Sequence, residues 1–228
     1  MTGQLKPDIL LSAYRAGIFP MAESALDKNI FWVDPKYRGI MPLNEFHVSK
    51  SLRKEILKLD YQVSVNTRFE EIINMCAERP ETWINQDILT NYCLLHKSGH
   101  AHCLEICSDQ KLIGGIYGVS IGAAFFGESM FSKKNNASKI ALAYLVDRLK
   151  KTGFKLFDIQ FLTPHLASLG AIEITKVKYR TLLFQAVEEF ANFNASDYSP
   201  DLSAIAQRRA QTSSVSYTHL RAHETLLY

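Results

Sequence analysis

The side chains best suited to chemistry in this sequence fall in one short apolar stretch, Leu156-Phe157-Asp158-Ile159-Gln160. Residues two apart on a strand share a face, so Asp158 and Gln160 point the same way between apolar neighbours. A carboxylate and an amide in such surroundings must find hydrogen-bond partners or line a pocket. Two readings follow from the spacing alone: a buried polar pair satisfied by backbone groups, or a centre that positions charge and protons. Directly afterwards, Thr163-Pro164-His165 opens a helix whose exposed amide N–H groups suit an anion, though an ordinary capped helix starts in the same way. His165 reads as a helix-end residue rather than a catalytic base.

Other constellations carry less. Gly114-Gly115-Ile116-Tyr117-Gly118 lacks the full dinucleotide fingerprint and sits inside a strand, where glycines admit a close backbone or a bulge. His96, His100 and His102 lie near Cys103, but no carboxylate or second thiol completes a tetrahedral set, so no metal is expected. Cys103 and Cys107 suit a core better than a redox pair. Lys50, Arg53, Lys54 and Lys58 form a basic helix face with one acid, Glu55. Such a face is either simply solvated or a sequence-blind surface that neutralises phosphates.

The elements that must hold these residues follow from periodicity. Helices are expected over 7–17, 49–59 (with Leu52, Ile56 and Leu59 as its apolar stripe), 69–77, 86–97, from a cap at Ser138 to Gly153, from Thr163 to Gly170, and over 176–193. Extended segments are expected at 31–35, 61–65 and 154–161. The runs 101–107, 111–119 and 122–131 predict an antiparallel meander. The order helix, meander, helix, strand, helix gives an α+β fold with helices covering a mixed sheet. A small N-terminal domain is placed at 1–36, a main domain at 37–193 and an extension at 194–228. From about residue 211 the sequence loses both periodicities and reads as non-native.

Composition adds exclusions. Lysine and arginine exceed aspartate and glutamate by 26 − 23 = 3, too little to name a partner. No apolar run approaches the ~20 residues of a membrane span. The start of the chain lacks a secretory leader, and four cysteines without a paired framework suit a reducing compartment. A cytoplasmic monomer is the expectation.

Taken in order, several motifs resemble the leucyl/phenylalanyl-tRNA–protein transferases. They include Ala13-Tyr14-Arg15-Ala16-Gly17-Ile18-Phe19-Pro20, Trp32-Val33-Asp34-Pro35, Phe46-His47-Val48-Ser49, Thr82-Trp83-Ile84 and Gly99-His100-Ala101-His102. Gly114-Gly115-Ile116-Tyr117-Gly118-Val119 leads to Phe126-Gly127-Glu128-Ser129-Met130-Phe131-Ser132. Ala137-Ser138-Lys139, Asp158-Ile159-Gln160 and His165-Leu166-Ala167-Ser168-Leu169-Gly170 complete the set, which spans about residues 5–190.

The resemblance implies a small N-terminal domain joined to a GNAT-like acyltransferase domain, with no metal or organic cofactor. It implies transfer of leucine or phenylalanine, less readily methionine, from charged tRNA to proteins with N-terminal arginine or lysine, marking them for the N-degron pathway. By the same match, Asp158 and Gln160 act at the reacting centre and Glu128 meets the cationic acceptor, or else forms an ion pair with Lys139. Ile116, Phe125 and Leu145 form the amino-acid pocket, and Trp83 stacks on the 3′ adenosine. Lys50, Arg53, Lys54 and Lys58 contact the acceptor stem. Three departures stand out: a short N-terminus, Met21 where a tryptophan is common, and Leu57 where a basic residue is common. An acetyl-CoA-dependent N-acetyltransferase is disfavoured because Lys133-Lys134-Asn135-Asn136-Ala137-Ser138 lacks the glycines of a pyrophosphate turn. A non-catalytic tRNA-binding module would leave Asp158 and Gln160 unused.

Overall fold

The computed structural model describes residues 5–79 and 81–207. The expectation of non-native sequence from about residue 211 lies outside them. Among the described residues, seven strands form one sheet in the order β4-β5-β6-β7-β8-β3-β9, and β1 and β2 form a separate ribbon. The strands are β1 (Phe19–Met21), β2 (Phe31–Val33), β3 (Tyr37–Ile40), β4 (Gln62–Val65), β5 (Ala101–Ser108), β6 (Lys111–Ile121), β7 (Ala124–Ser132), β8 (Leu156–Gln160) and β9 (Ile172–Thr175). The expected meander is β5-β6-β7, antiparallel throughout. Among the described residues only β7 and β8 pair in parallel, with α5 (Ala137–Lys151) as the crossover between them.

Strand alternation divides the interior into two apolar layers, one on each side of the sheet. Tyr117, Val119, Phe126 and Leu156 face α1 (Pro7–Arg15), α3 (Phe69–Ala77), α4 (Gln86–Lys97) and α7 (Lys176–Glu188). Ile116, Phe125, Phe157 and Ile159 face α2 (Lys50–Lys58), α5 and α8 (Leu202–Gln207). Both strand faces are therefore apolar, as expected of a sheet covered on both sides. A short α6 (Pro164–Ala167), capped by Thr163 Oγ1, follows β8.

Helix limits follow local chemistry where caps are clear. Ser49 caps α2 by accepting from Leu52 N, and Asn85 caps α4 by accepting from Ile88 N. Three expectations need correction. Leu59 is a left-handed C-cap and is exposed rather than part of the α2 stripe. The crossover helix starts after left-handed Asn136, not at a Ser138 cap. The last expected helix stops at Glu188, because Phe193 turns back to stack on His102 and Phe125. The strands β1, β3 and β9, and the helix α8, carry no clear signal in the sequence.

The amino-terminal segment is docked on the main body by named contacts. Lys176 Nζ and Arg180 Nη2 reach Asp34 Oδ2 at 2.7 and 3.0 Å. Asn85 Nδ2 donates to the carbonyl of Asp27 at 2.8 Å. Tyr14 of α1 is fully buried within the first apolar layer.

Candidate active site

Two β-bulges shape the centre. On β7, Tyr117 opposes Ser129 and Gly118 opposes Gly127, so Glu128 is the extra residue. On β8, Ile40 opposes Asp158 and Gly39 opposes Gln160, so Ile159 is the extra residue. Bulges re-aim side chains and end regular pairing. Parallel pairing of β7 with β8 stops at Phe126 opposite Asp158, and the strands fork beyond that point. The first bulge needs Gly118, where a Cβ would stand 2.3 Å from the carbonyl oxygen of Phe126. The second needs Gly39, where a Cβ would stand 2.9 Å from the backbone nitrogen of Leu162.

Asp158 is completely buried and fully engaged. Arg38 Nε donates to both its oxygens at 2.9 and 3.1 Å, and Arg38 Nη2 donates to Oδ2 at 2.7 Å. Tyr179 OH donates to Oδ2 at 2.6 Å, and the Gln160 backbone N–H donates to Oδ1 at 2.8 Å. Burial alone would lower the Arg38 guanidinium, but the Asp158 carboxylate outweighs it and raises the group. Burial raises the Tyr179 hydroxyl, reinforced by the same carboxylate. Arg38 is not among the residues that the sequence singles out. A buried carboxylate on an apolar strand calls for a cation, yet nothing local names one 120 positions away.

Gln160 has φ +63°, a left-handed conformation for a non-glycine residue. That conformation costs roughly 1–2 kcal/mol. The charge-assisted bond from its N–H to Asp158 is worth about 1.5–3 kcal/mol, enough to offset the cost. The Gln160 side chain donates from Nε2 to Glu128 Oε1 at 3.1 Å. Among the described residues nothing donates to its Oε1. The amide is thus fixed with its acceptor end unengaged.

Glu128 accepts two more bonds, from Tyr14 OH at 2.7 Å and Tyr92 OH at 3.0 Å, and the two tyrosine hydroxyls also meet each other. Its partners are therefore tyrosines and an amide rather than Lys139. Burial pushes the Glu128 carboxyl up to about 7, against the pull of its three donors, and nearby Asp158 adds to the rise. Burial holds both tyrosine hydroxyls well above their ordinary value, with the Glu128 charge adding to it. Tyr14 and Tyr92 lie in motifs or helices visible in the sequence, but only the fold shows where their hydroxyls converge.

The remaining expected residues lie further out. Ile116, Phe125 and Leu145 are buried together in the second apolar layer, with Phe157 and Ile159. Asp158, Glu128 and Gln160 meet partners from the first layer, so the sheet separates the two sets except at the fork. Trp83 is half-buried against the first layer, just before α4. Lys50, Arg53, Lys54 and Lys58 are exposed on α2, where Lys58 pairs with Glu55 at 2.8 Å. A cavity of about 420 Å³ lies past Glu128 along β7, lined by Arg79, Met130, Lys133, Ser138 and His165 among others. At the start of α5, Ala137 N already bonds Lys134 O at 3.1 Å and Ser138 N bonds Ser132 Oγ at 3.2 Å. Those amides are occupied rather than offered to a pyrophosphate. His102 spends both ring nitrogens on Asn66 and Ser120, and burial holds its imidazole down at about 3.

Similarity to known proteins runs along most of the chain. Residues 40–184 match the family Leucyl/phenylalanyl-tRNA protein transferase, and residues 3–36 match the N-terminal domain of that family. The leucyl/phenylalanyl-tRNA–protein transferase of Cereibacter sphaeroides is 54% identical over 209 residues, covering 92% of this chain and 98% of the relative. Its counterpart in Ruegeria pomeroyi is 55% identical over 210 residues, covering 92% and 99%. Among solved structures, FemX is similar in fold, with TM-score 0.50 and 13% identity over 75% of this chain and 67% of that one.

Proposed function

As the chain belongs to the leucyl/phenylalanyl-tRNA–protein transferase family, we propose that it moves leucine or phenylalanine, and less readily methionine, from charged tRNA to proteins beginning with arginine or lysine. Products of that reaction carry a destabilising N-terminus for the N-degron pathway. The observation that carries this reading is the unengaged Oε1 of Gln160, held at the β7–β8 fork beside a buried carboxylate.

The donor ester is already activated, so alignment supplies much of the rate. The acceptor α-amine donates an N–H to Gln160 Oε1, which turns its lone pair toward the ester carbonyl. A C–N bond forms, the bond from the carbonyl carbon to the ribose 3′ oxygen breaks, and the amine proton leaves for that oxygen directly or through water. A neutral amide is too weak a base to keep the proton, so Gln160 orients rather than deprotonates. Glu128 holds the amide in register and, once ionised above about pH 7, supplies negative charge for a cationic terminus. Asp158, sealed from solvent, acts only through Gln160 and touches no substrate atom.

The aminoacyl side chain threads the fork to reach Ile116, Phe125 and Leu145, where an apolar wall discriminates by ~1–3 kcal/mol per methylene. Trp83 stacks on the terminal adenine, an interaction worth about 1–3 kcal/mol. Lys50, Arg53, Lys54 and Lys58 meet the acceptor-stem backbone; Arg79 and Lys133, opposed by the single acid Glu78, give the cavity beyond Glu128 a net basic lining that suits the RNA strand better than a cationic peptide. A cytoplasmic monomer is part of the same proposal. Separately, among the described residues no helix is long and apolar enough to cross a membrane.

The test combines the purified chain, labelled Leu-tRNA or Phe-tRNA, and peptides beginning with Arg, Lys or Ala, with acetyl-CoA as a rival donor. Aminoacylated Arg and Lys peptides are the expected products. Acetylated peptide would establish an N-acetyltransferase instead, and RNA capture without product would establish a binding module.

A further inference from the structure

Resting on the transfer reaction above, one residue outside the reacting set governs its geometry. The Arg38 side chain is 1% exposed and Asp158 is 0% exposed. The guanidinium carbon lies 4.4 Å from the Phe19 ring centroid and 4.7 Å from that of Tyr179, so the group is sandwiched as well as hydrogen-bonded. Its remaining nitrogen, Nη1, donates to the Gly17 carbonyl at 3.2 Å. Each of the three guanidinium nitrogens thus donates to the protein, and the group is sealed from solvent and substrate by burial.

The consequences run outward along one chain of contacts. Arg38 orients the Asp158 carboxylate, and Asp158 Oδ1 accepts the Gln160 backbone N–H. That bond secures the left-handed turn at Gln160, next to the bulge at Ile159. The turn delivers the side-chain amide to Glu128. Residue 39, the neighbour of Arg38, pairs with Gln160 itself, so β3 sets both the strand register and the carboxylate. Gly17 and Phe19 belong to the amino-terminal segment, as does Tyr14, which donates to Glu128.

We propose that Arg38 is the positioning residue of this centre: through Asp158 it fixes the Gln160 turn, and through Gly17 and Phe19 it makes that turn depend on a docked amino-terminal segment. Arg38 is not a catalytic residue, since it reaches no reacting atom. A lysine cannot replace it, because an ammonium is a single point charge without the planar fork that spans both carboxylate oxygens.

The full-length chain tests this through Arg38→Lys, Arg38→Met, Asp158→Asn and the double variant Arg38→Met/Asp158→Asn. Transfer of leucine from Leu-tRNA to an Arg-starting peptide gives kcat and KM, and thermal melting reports folding. Arg38→Lys should lower kcat by ~10–100-fold, the scale of a misplaced reacting group, with both KM values held within about twofold. The double variant should melt above Arg38→Met, because no buried charge is left alone, while its kcat stays as low as that of Asp158→Asn. Amide hydrogen exchange at Gln160 needs no substrate and should quicken by ~10-fold or more in Arg38→Lys as its bond to Asp158 weakens. A kcat near that of the parent in Arg38→Lys, recovery of kcat in the double variant, or unchanged Gln160 exchange would each overturn the proposal. A parent chain that transfers no leucine would instead refute the assigned reaction, with the exchange measurement still deciding the role of Arg38.

Discussion

Replacing Glu128 with glutamine should make the stability of this protein less sensitive to pH, by an amount that the structure sets. The carboxyl is buried and titrates near 7 in the folded chain, against 4.5 when unfolded. Between those values the folded protein keeps a proton that the unfolded chain has released. Stability from this group is therefore complete below pH 4.5 and is lost as pH rises through about 7. At 1.36 kcal/mol per pH unit, the span corresponds to ~3 kcal/mol. Glutamine keeps the shape and does not titrate. Urea unfolding of both proteins at several values from pH 4.5 to pH 8 measures the difference. It should shift by ~3 kcal/mol in favour of Glu128→Gln across that range. A difference that stays flat within ~0.5 kcal/mol would show that burial does not hold Glu128 up, and the reasoning about this cluster would fail.

Other expectations follow from the same geometry. Gly118→Ala places a methyl against the Phe126 carbonyl and should cost about 1–3 kcal/mol, the usual range for overpacking, read by denaturant unfolding at fixed pH; an unchanged midpoint would remove the bulge argument. Arg53→Gln with Lys54→Gln should raise KM for tRNA and leave kcat alone. The slope of log KM against log salt should fall by ~1 for each phosphate that the variant no longer neutralises. Ile116→Phe should reduce kcat/KM for Phe-tRNA more than for Leu-tRNA if the fork leads to the apolar trio; equal reductions would mark those residues as core alone.

Much of this architecture was legible because its signals are local. Helices α3 and α4 have the limits expected from sequence, since apolar periodicity ends at clear breaks. The β5-β6-β7 meander follows from three apolar runs separated by polar or glycine turns. The strand β3 was not legible. It has four residues, its partners β8 and β9 lie more than 100 positions away, and Tyr37-Arg38-Gly39 resembles a loop in isolation. Missing β3 meant missing Arg38, although the need for a partner to Asp158 was plain. Glu128 shows the same limit. The resemblance offers Glu128 a cationic acceptor, with Lys139 as the alternative partner, and neither shows that the bulge turns it toward hydroxyls from α1 and α4. Alternation gave the shared orientation of Asp158 and Gln160, but not that the sheet would stand between them and Ile116, Phe125 and Leu145.

The most direct examination of the central claim is a single-turnover comparison of the parent chain with Gln160→Met, at saturating Leu-tRNA and Arg-starting peptide. Methionine matches the length of glutamine and offers the amine no amide oxygen. The expected result is a rate constant lower by ~100-fold, the scale of misalignment at a reacting centre, with binding of both substrates preserved. A rate equal to that of the parent would contradict the assignment of Gln160 as the group that aligns the attacking amine.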